Sequence, residues 1–173
     1  MAASLNVNLN LNSLLNLSQS PAFSADNFKK HTKKLLRSYA LEAQRSYVRA
    51  FSKERDPITD KPWAERSPAY VAHLTRIGKG SSKILQVSLN LRNRHQIFFN
   101  ENSAGVGVKL VYAGIHQFGG EAGPKKRRVK IPARPYLGLD QDGRSKILQL
   151  TVDMLKSAIH DAMDQSLKAL KPL

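Results

Sequence analysis

Between Tyr112 and Asp140 the chain reads YAGIHQFGGEAGPKKRRVKIPARPYLGLD, and no other stretch limits the possible folds as much. It holds five glycines, three prolines and six Lys/Arg, and no acid follows Glu121 until Asp140. Glycine costs backbone entropy in a regular element and proline removes an amide donor, so neither a long helix nor an internal strand can run through it. The residue order predicts a short strand over Tyr112–Phe118, a turn at Gly119-Gly120, a basic loop, and a second short strand near Val129–Ile131. The two glycines suit a turn with positive φ, and Pro132 and Pro135 stiffen the exit so that Arg134 and Tyr136 are presented in a fixed direction. His116, at the end of the first expected strand, is placed to hydrogen-bond the turn and close the sheet; facing a neighbouring subunit is the other reading.

The remaining elements follow from periodicity. Leu5, Val7, Leu9 and Leu11 alternate with asparagines, the period of a half-buried strand, which could pair with its own sheet or extend a neighbour's edge. From Asp26 to Lys53, Phe28, Leu35, Leu36, Tyr39, Ala43, Tyr47 and Phe51 recur at helical spacing. Ser24 or Asp26 can cap that helix, and Asp56-Pro57 ends it. Trp63 sits in a proline-rich loop, where a large ring more often anchors the loop to the core than recognises a partner. Tyr70–Ile77 reads as a short helix or turn, Leu85–Leu91 as a strand, Gln96–Phe99 as a second and Val106–Val111 as a third, with a turn over Glu101–Gly105. Asp142-Gly143 then turns the chain into a final helix from Ser145 to about Ala169, with a stripe of Leu148, Val152, Leu155, Ile159, Ala162 and Leu170. The expectation is an α+β fold: an antiparallel sheet of three to five strands flanked by a long N-terminal and a C-terminal helix. Residues 1–24 form an arm or strand and residues 25–173 a single domain.

Composition bounds the chemistry. Lys and Arg number 28 against 13 Asp and Glu, a formal net charge of +15, which implies affinity for polyanions, either nucleic acid or an acidic protein surface. The expected long helix carries Lys29, Lys30, Lys33, Lys34, Arg37, Arg45, Arg49 and Lys53 on its outer face against only Glu42 and Glu54, and like charges four apart there repel. There is no cysteine, hence no disulfide or thiolate metal site, and no apolar run approaches the roughly 20 residues of a membrane helix. The five histidines are scattered without HxxxH or HExxH spacing, no GxSxG elbow occurs, and Gly78-Lys79-Gly80-Ser81-Ser82 lacks phosphate-loop spacing. The expectation is a protein without catalytic activity or cofactor.

YAGIHQFGG followed, after a variable basic loop, by IPARPYLGL resembles the phage virion morphogenesis family, the tail-completion proteins of contractile-tailed, Mu-like and P2-like phages. DPITDKPWAERSPAY, from Asp56 to Tyr70, is similar to the family's Pro-Trp segment, and KILQVSLNLRN lies where the family has a strand leading into a hairpin. At Ser88-Leu89-Asn90 this chain lacks the glycine-containing turn that the resemblance leads one to expect. The resemblance implies a structural protein of the virion tail or neck, assembled in the host cytoplasm. Its subunits would form a ring, a hexamer or else a dodecamer, between a head-side connector or head-closure protein and a tail terminator or tube protein. Genomic DNA would pass through without sequence preference, and no membrane is involved. On this reading Tyr112, His116, Gln117, Phe118, Gly119 and Gly120, with Ile131, Pro132, Arg134, Pro135, Tyr136 and Leu137, lie at or near a subunit or neighbour interface. Lys125, Lys126, Arg127, Arg128 and Lys130 face DNA or an acidic partner. A free non-specific DNA-binding protein, or an assembly chaperone, is the alternative.

Overall fold

In the computed structural model, which describes residues 3–8, 25–125 and 128–169, one helix carries both halves of the core. This is α1, Ala25–Lys53, about 43 Å long at about 1.5 Å per residue. Leu35, Leu36, Tyr39, Ala40, Ala43, Tyr47, Ala50 and Phe51 recur every three or four residues and are all buried. The helix stops at Lys53, earlier than Asp56-Pro57, because Glu54 turns left-handed at φ 54°. The Glu54 carbonyl then accepts the Trp63 amide at 2.9 Å.

Around α1 the order is β1 (Ala3–Asn8), α2 (Pro68–Arg76), α3 (Asn90–Asn93), β2 (His95–Phe99), β3 (Ser103–Val108), α4 (Ala113–Phe118), β4 (Gly120–Ala122), β5 (Val129–Ile131) and α5 (Gln141–Ala169). The fold is α+β. Strand β3 is the centre of a three-stranded antiparallel sheet in the order β1-β3-β2, and β4 and β5 make a separate two-stranded one. β1 pairs within its own chain, Ala3 opposite Val108 and Asn8 opposite Ser103. Leu9 and Leu11 of the expected arm strand, the Ser24 or Asp26 cap, and the lysine and arginine at 126 and 127 lie outside the described residues or side chains.

The core has two parts strung along α1. The lower half of the helix, Leu35, Leu36, Tyr39 and Ala40, packs with Ala104 of β3 and with Met154 and Ala158 of α5. The upper half, Ala43, Tyr47, Ala50 and Phe51, packs with Trp63, Leu91, Val106, Val108, Ala113, Tyr136 and Leu137.

Four expectations are corrected. Tyr112–Phe118 is not a strand but the turn into α4, because winding the chain buries Ala113 and swings Gln117 back toward residues 136 and 137. Leu85–Leu91 is not a strand: Leu85 and Leu89 adopt φ of 59° and 58°, and the chain curls into α3. Leucine rarely takes that conformation, and Leu89 does so in place of the missing glycine turn. The turn expected over Glu101–Gly105 is shorter, because the Asn100 side chain accepts the amides of Asn102 and Ser103 at 2.9 and 2.8 Å and β3 begins at Ser103. Finally, Asp142-Gly143 lies inside the first turn of α5, capped by Asp140, whose Oδ1 accepts the Gly143 amide at 2.9 Å. The core-facing line of α5 runs through Ile147, Leu150, Met154, Leu155, Ala158 and Ala162; of the expected stripe Leu155 and Ala162 belong to it, Leu148, Val152 and Ile159 are exposed, and Leu170 lies outside the described residues.

Asp140 also joins the two long helices. Arg49 and Glu42, expected on the outer face of α1, turn inward instead: Arg49 donates Nε and Nη2 to the two carboxylate oxygens of Asp140 at 2.6 and 2.7 Å, and reaches buried Glu42 at 2.9 Å. Burial opposes ionisation of Asp140, but the Arg49 and Gly143 hydrogen bonds outweigh it and hold the carboxyl below its ordinary range. The folded pKa is therefore below the unfolded value of about 3.9, so this stabilisation is present above that value and is lost as pH falls through the folded pKa. Asp140→Asn, which keeps a cap but loses the charge, should lower stability near neutral pH by about 1–2 kcal/mol. In urea titrations its difference from the parent should shrink as pH falls through the folded pKa of Asp140, and a pH-independent difference would show that the ion pair is not its origin.

Candidate functional site

The segment from α4 to Asp140 forms an arch over the upper end of α1, and Gln117, Arg134 and Tyr136 in it turn their polar groups inward. The arch turns at Gly119 and Gly120, with φ of 75° and 146°, and a Cβ on Gly119 would lie 3.0 Å from the Ala133 amide nitrogen. The expected positive-φ turn is therefore present, and it is tight enough to demand glycine at its first position. Beyond it, the Arg134 amide donates to the His116 carbonyl at 2.7 Å. Gln117 then works as a clip: Oε1 accepts the amides of Tyr136 and Leu137, both at 3.0 Å, and Nε2 donates to the Leu137 carbonyl at 3.3 Å.

Arg134, expected to be presented outward, is 8% exposed. Its Nε donates to the Ala64 carbonyl at 2.7 Å and its Nη2 to the Glu65 carbonyl at 2.8 Å, pinning the proline-rich segment that follows α1. Tyr136 also turns inward: its ring meets Tyr47 edge-on at 5.7 Å and its hydroxyl donates to the Ala113 carbonyl at 2.8 Å. Trp63 is the anchor that its setting suggested, buried against Phe51 and donating Nε1 to the Pro135 carbonyl at 2.6 Å. The reason for the inward turn is that an irregular segment laid on a helix cannot pair its own backbone, so side chains must satisfy it.

His116 lies edge-on to Tyr112 with ring centroids 5.9 Å apart, and it is its carbonyl, not its ring, that bonds the return segment, through the Arg134 amide. Burial and then the nearby Arg134 charge push its pKa down, which favours the neutral ring. Its Nδ1 is buried and has no partner among the described residues.

The outward members of the expected set are Tyr112, Phe118, Gly120 and Pro132, with Phe118 73% exposed. Lys125, Arg128 and Lys130 are exposed beside them, and Arg128 meets Glu121 at 3.4 Å across the β4–β5 hairpin. Ile131 and Pro135 are half-buried and Leu137 is buried. Two surfaces were not expected. One is a second apolar line on α5, where Leu148, Val152, Ile159, Met163 and Leu167 are all exposed. The sequence did contain that signal, since three of the five fell in the stripe assigned to the core. The other is a cleft of about 640 Å³ between the start of α2, residues 84–88 and β5. Among the described residues no three His, Asp or Glu side chains gather where they could hold a metal ion, and no helix is long and apolar enough to cross a membrane.

An arch wired to its own scaffold, flanked by a basic hairpin and an uncovered apolar helix face, is the build of an assembly subunit, and the comparisons agree. Residues 12–156 match the profile of the phage virion morphogenesis family, and the chain belongs to that family. Protein G of Escherichia phage Mu, a candidate capsid assembly protein, is 31% identical over 120 residues, 69% of this chain and 74% of its own. The Mu-like prophage FluMu G protein 2 of Haemophilus influenzae is 51% identical over 51 residues, 30% of this chain and 36% of its own. FluMu G protein 1 of the same organism is 31% identical over 99 residues, 56% and 61%. No solved structure matches.

Since Arg134 is internal, Arg134→Met should cost about 2–3 kcal/mol in chemical denaturation, the loss of two charge-assisted bonds to buried carbonyls. Arg134→Lys should recover less than half, because an ammonium cannot reach both carbonyls in the fork geometry. Phe118→Ser should stay within about 0.5 kcal/mol of the parent.

Proposed function

We propose that this morphogenesis protein is a non-catalytic structural subunit that completes the tail and closes into a homo-oligomeric ring, most simply a hexamer, at the head–tail junction. The observation that carries this reading is the second apolar line of α5: five large apolar side chains exposed between Leu148 and Leu167. A contiguous apolar face of that length is costly to leave in water and marks a protein contact. In a ring the contact is heterologous, one face of each subunit meeting a different face of the next. The outward arch residues Tyr112, Phe118 and Pro132 supply a further surface for the neighbour above or below. Lys29, Lys30, Lys33, Lys34 and Arg37, all exposed along α1, suit either DNA in the channel or an acidic ring of the adjoining protein. The name of the phage Mu relative, which refers to the capsid, supports a position on the head side.

A second reading, a free DNA-binding protein or assembly chaperone, draws on the charge of +15 and on the exposed basic residues of α1 and of the β4–β5 hairpin. Mass spectrometry of purified particles separates the two: a constant, small, ring-sized copy number supports the neck subunit, and absence from finished particles supports the alternative. Ile159→Glu should leave the subunit folded and within about 0.5 kcal/mol of the parent. Phage carrying it should accumulate separate heads and tails in electron micrographs. A normal particle yield would overturn the assignment of α5 to the interface.

A further inference from the structure

The cleft beside β5 has a character of its own. Leu85, Val87, Val129 and Ile131 give it apolar walls. Arg66, Arg134 and Lys130 line it as well, and Glu65 is the only acid among its lining residues. Arg66 and Arg134 are close enough that, after burial, the Arg66 charge is the next cause lowering the Arg134 pKa. His116 also lines the cleft, with its buried Nδ1 unpartnered among the described residues. Strand β5 lines one side: it pairs with β4 in a sheet of two strands, and among the described residues no strand pairs with its other edge.

An open strand edge offers a row of backbone donors and acceptors to an added strand. Apolar walls accept alternate side chains of such a strand, and an excess of positive charge favours acidic ones between them. A volume of about 640 Å³ holds a few residues of extended chain but not a duplex, and apolar walls offer nothing to a phosphate backbone. A second copy of this chain is a poor donor, since no two of its acids flank a single apolar residue.

We propose that this cleft receives an extended segment of a neighbouring virion protein in which acidic and apolar side chains alternate, laid along β5 as a third strand. The proposal rests on the reading of the chain as an assembly subunit, but its test needs no particles, so the two can fail separately. The peptide acetyl-Val-Glu-Val-Asp-Val-amide is titrated into the isotope-labelled full-length chain and followed by amide chemical shifts. The expected result is saturable movement of the amides of residues 129–131 and 84–88 at peptide concentrations up to about 2 mM. Lys130→Gln should weaken the affinity by about three- to tenfold, and Val87→Glu, which puts a like charge into the cleft, should abolish it while the spectrum stays that of a folded chain. A peptide with lysines in place of the acids, and one with proline at its centre, should not bind. Absence of movement, movement confined to other surfaces, equal binding of the lysine or proline peptide, or displacement of the acidic peptide by a ten-nucleotide single-stranded DNA would each overturn the assignment.

Discussion

Backbone buried outside regular structure must still be hydrogen-bonded, and in this protein four side chains meet that demand around one end of α1. Tyr47 bonds the Leu91 carbonyl, Trp63 the Pro135 carbonyl, Tyr136 the Ala113 carbonyl, and Arg134 the carbonyls of Ala64 and Glu65. Each of these side chains enters the core or its margin body first and delivers a polar tip to a carbonyl of an irregular segment or of a helix only four to six residues long. The rings of Tyr47, Phe51, Trp63 and Tyr136 lie between 5.0 and 5.7 Å from their neighbours, so positioning one positions the next. Burial raises the pKa of the Tyr47 and Tyr136 hydroxyls further above neutrality, so both remain donors at any physiological pH.

From this follows the division of labour along the chain. The glycines and prolines between Tyr112 and Asp140 let the arch approach α1 closely; a Cβ on Gly138 would lie 2.6 Å from Ile58. The polar groups of the arch hold it there, through Ser46, which donates to the Gly138 carbonyl at 3.0 Å and accepts the Asp140 amide at 2.8 Å. Asp140 then passes the chain into α5 while binding Arg49. The arch is thus a bracket between two helices, and its outer side and the second apolar line of α5 stay exposed.

What could be read from residues alone divides along the same line. α1 was legible almost to the residue, because its apolar positions keep one period against one core. Trp63 as anchor and the glycine turn were legible from local chemistry. Leu85–Leu91 was misread because alternating leucines mimic a strand, and nothing local shows that Leu85 and Leu89 bend left-handed under the arch. The phase of α5 was misread for a different reason: the helix carries two apolar lines, and only packing decides which of them α1 covers. Arg134 and Tyr136 looked like presented side chains because the carbonyls they serve lie as far as 70 and 23 positions away along the chain, a pairing that no spacing rule conveys.

Trp63 is the only tryptophan in the chain, and it stands where the end of α1, the proline-rich segment and the arch meet. Its indole is therefore a built-in optical probe of that junction alone. A change in its emission reports the arch lifting from α1, whereas fraying at the far end of α5 leaves the signal dark, so the two ends of the molecule can be followed separately without any label.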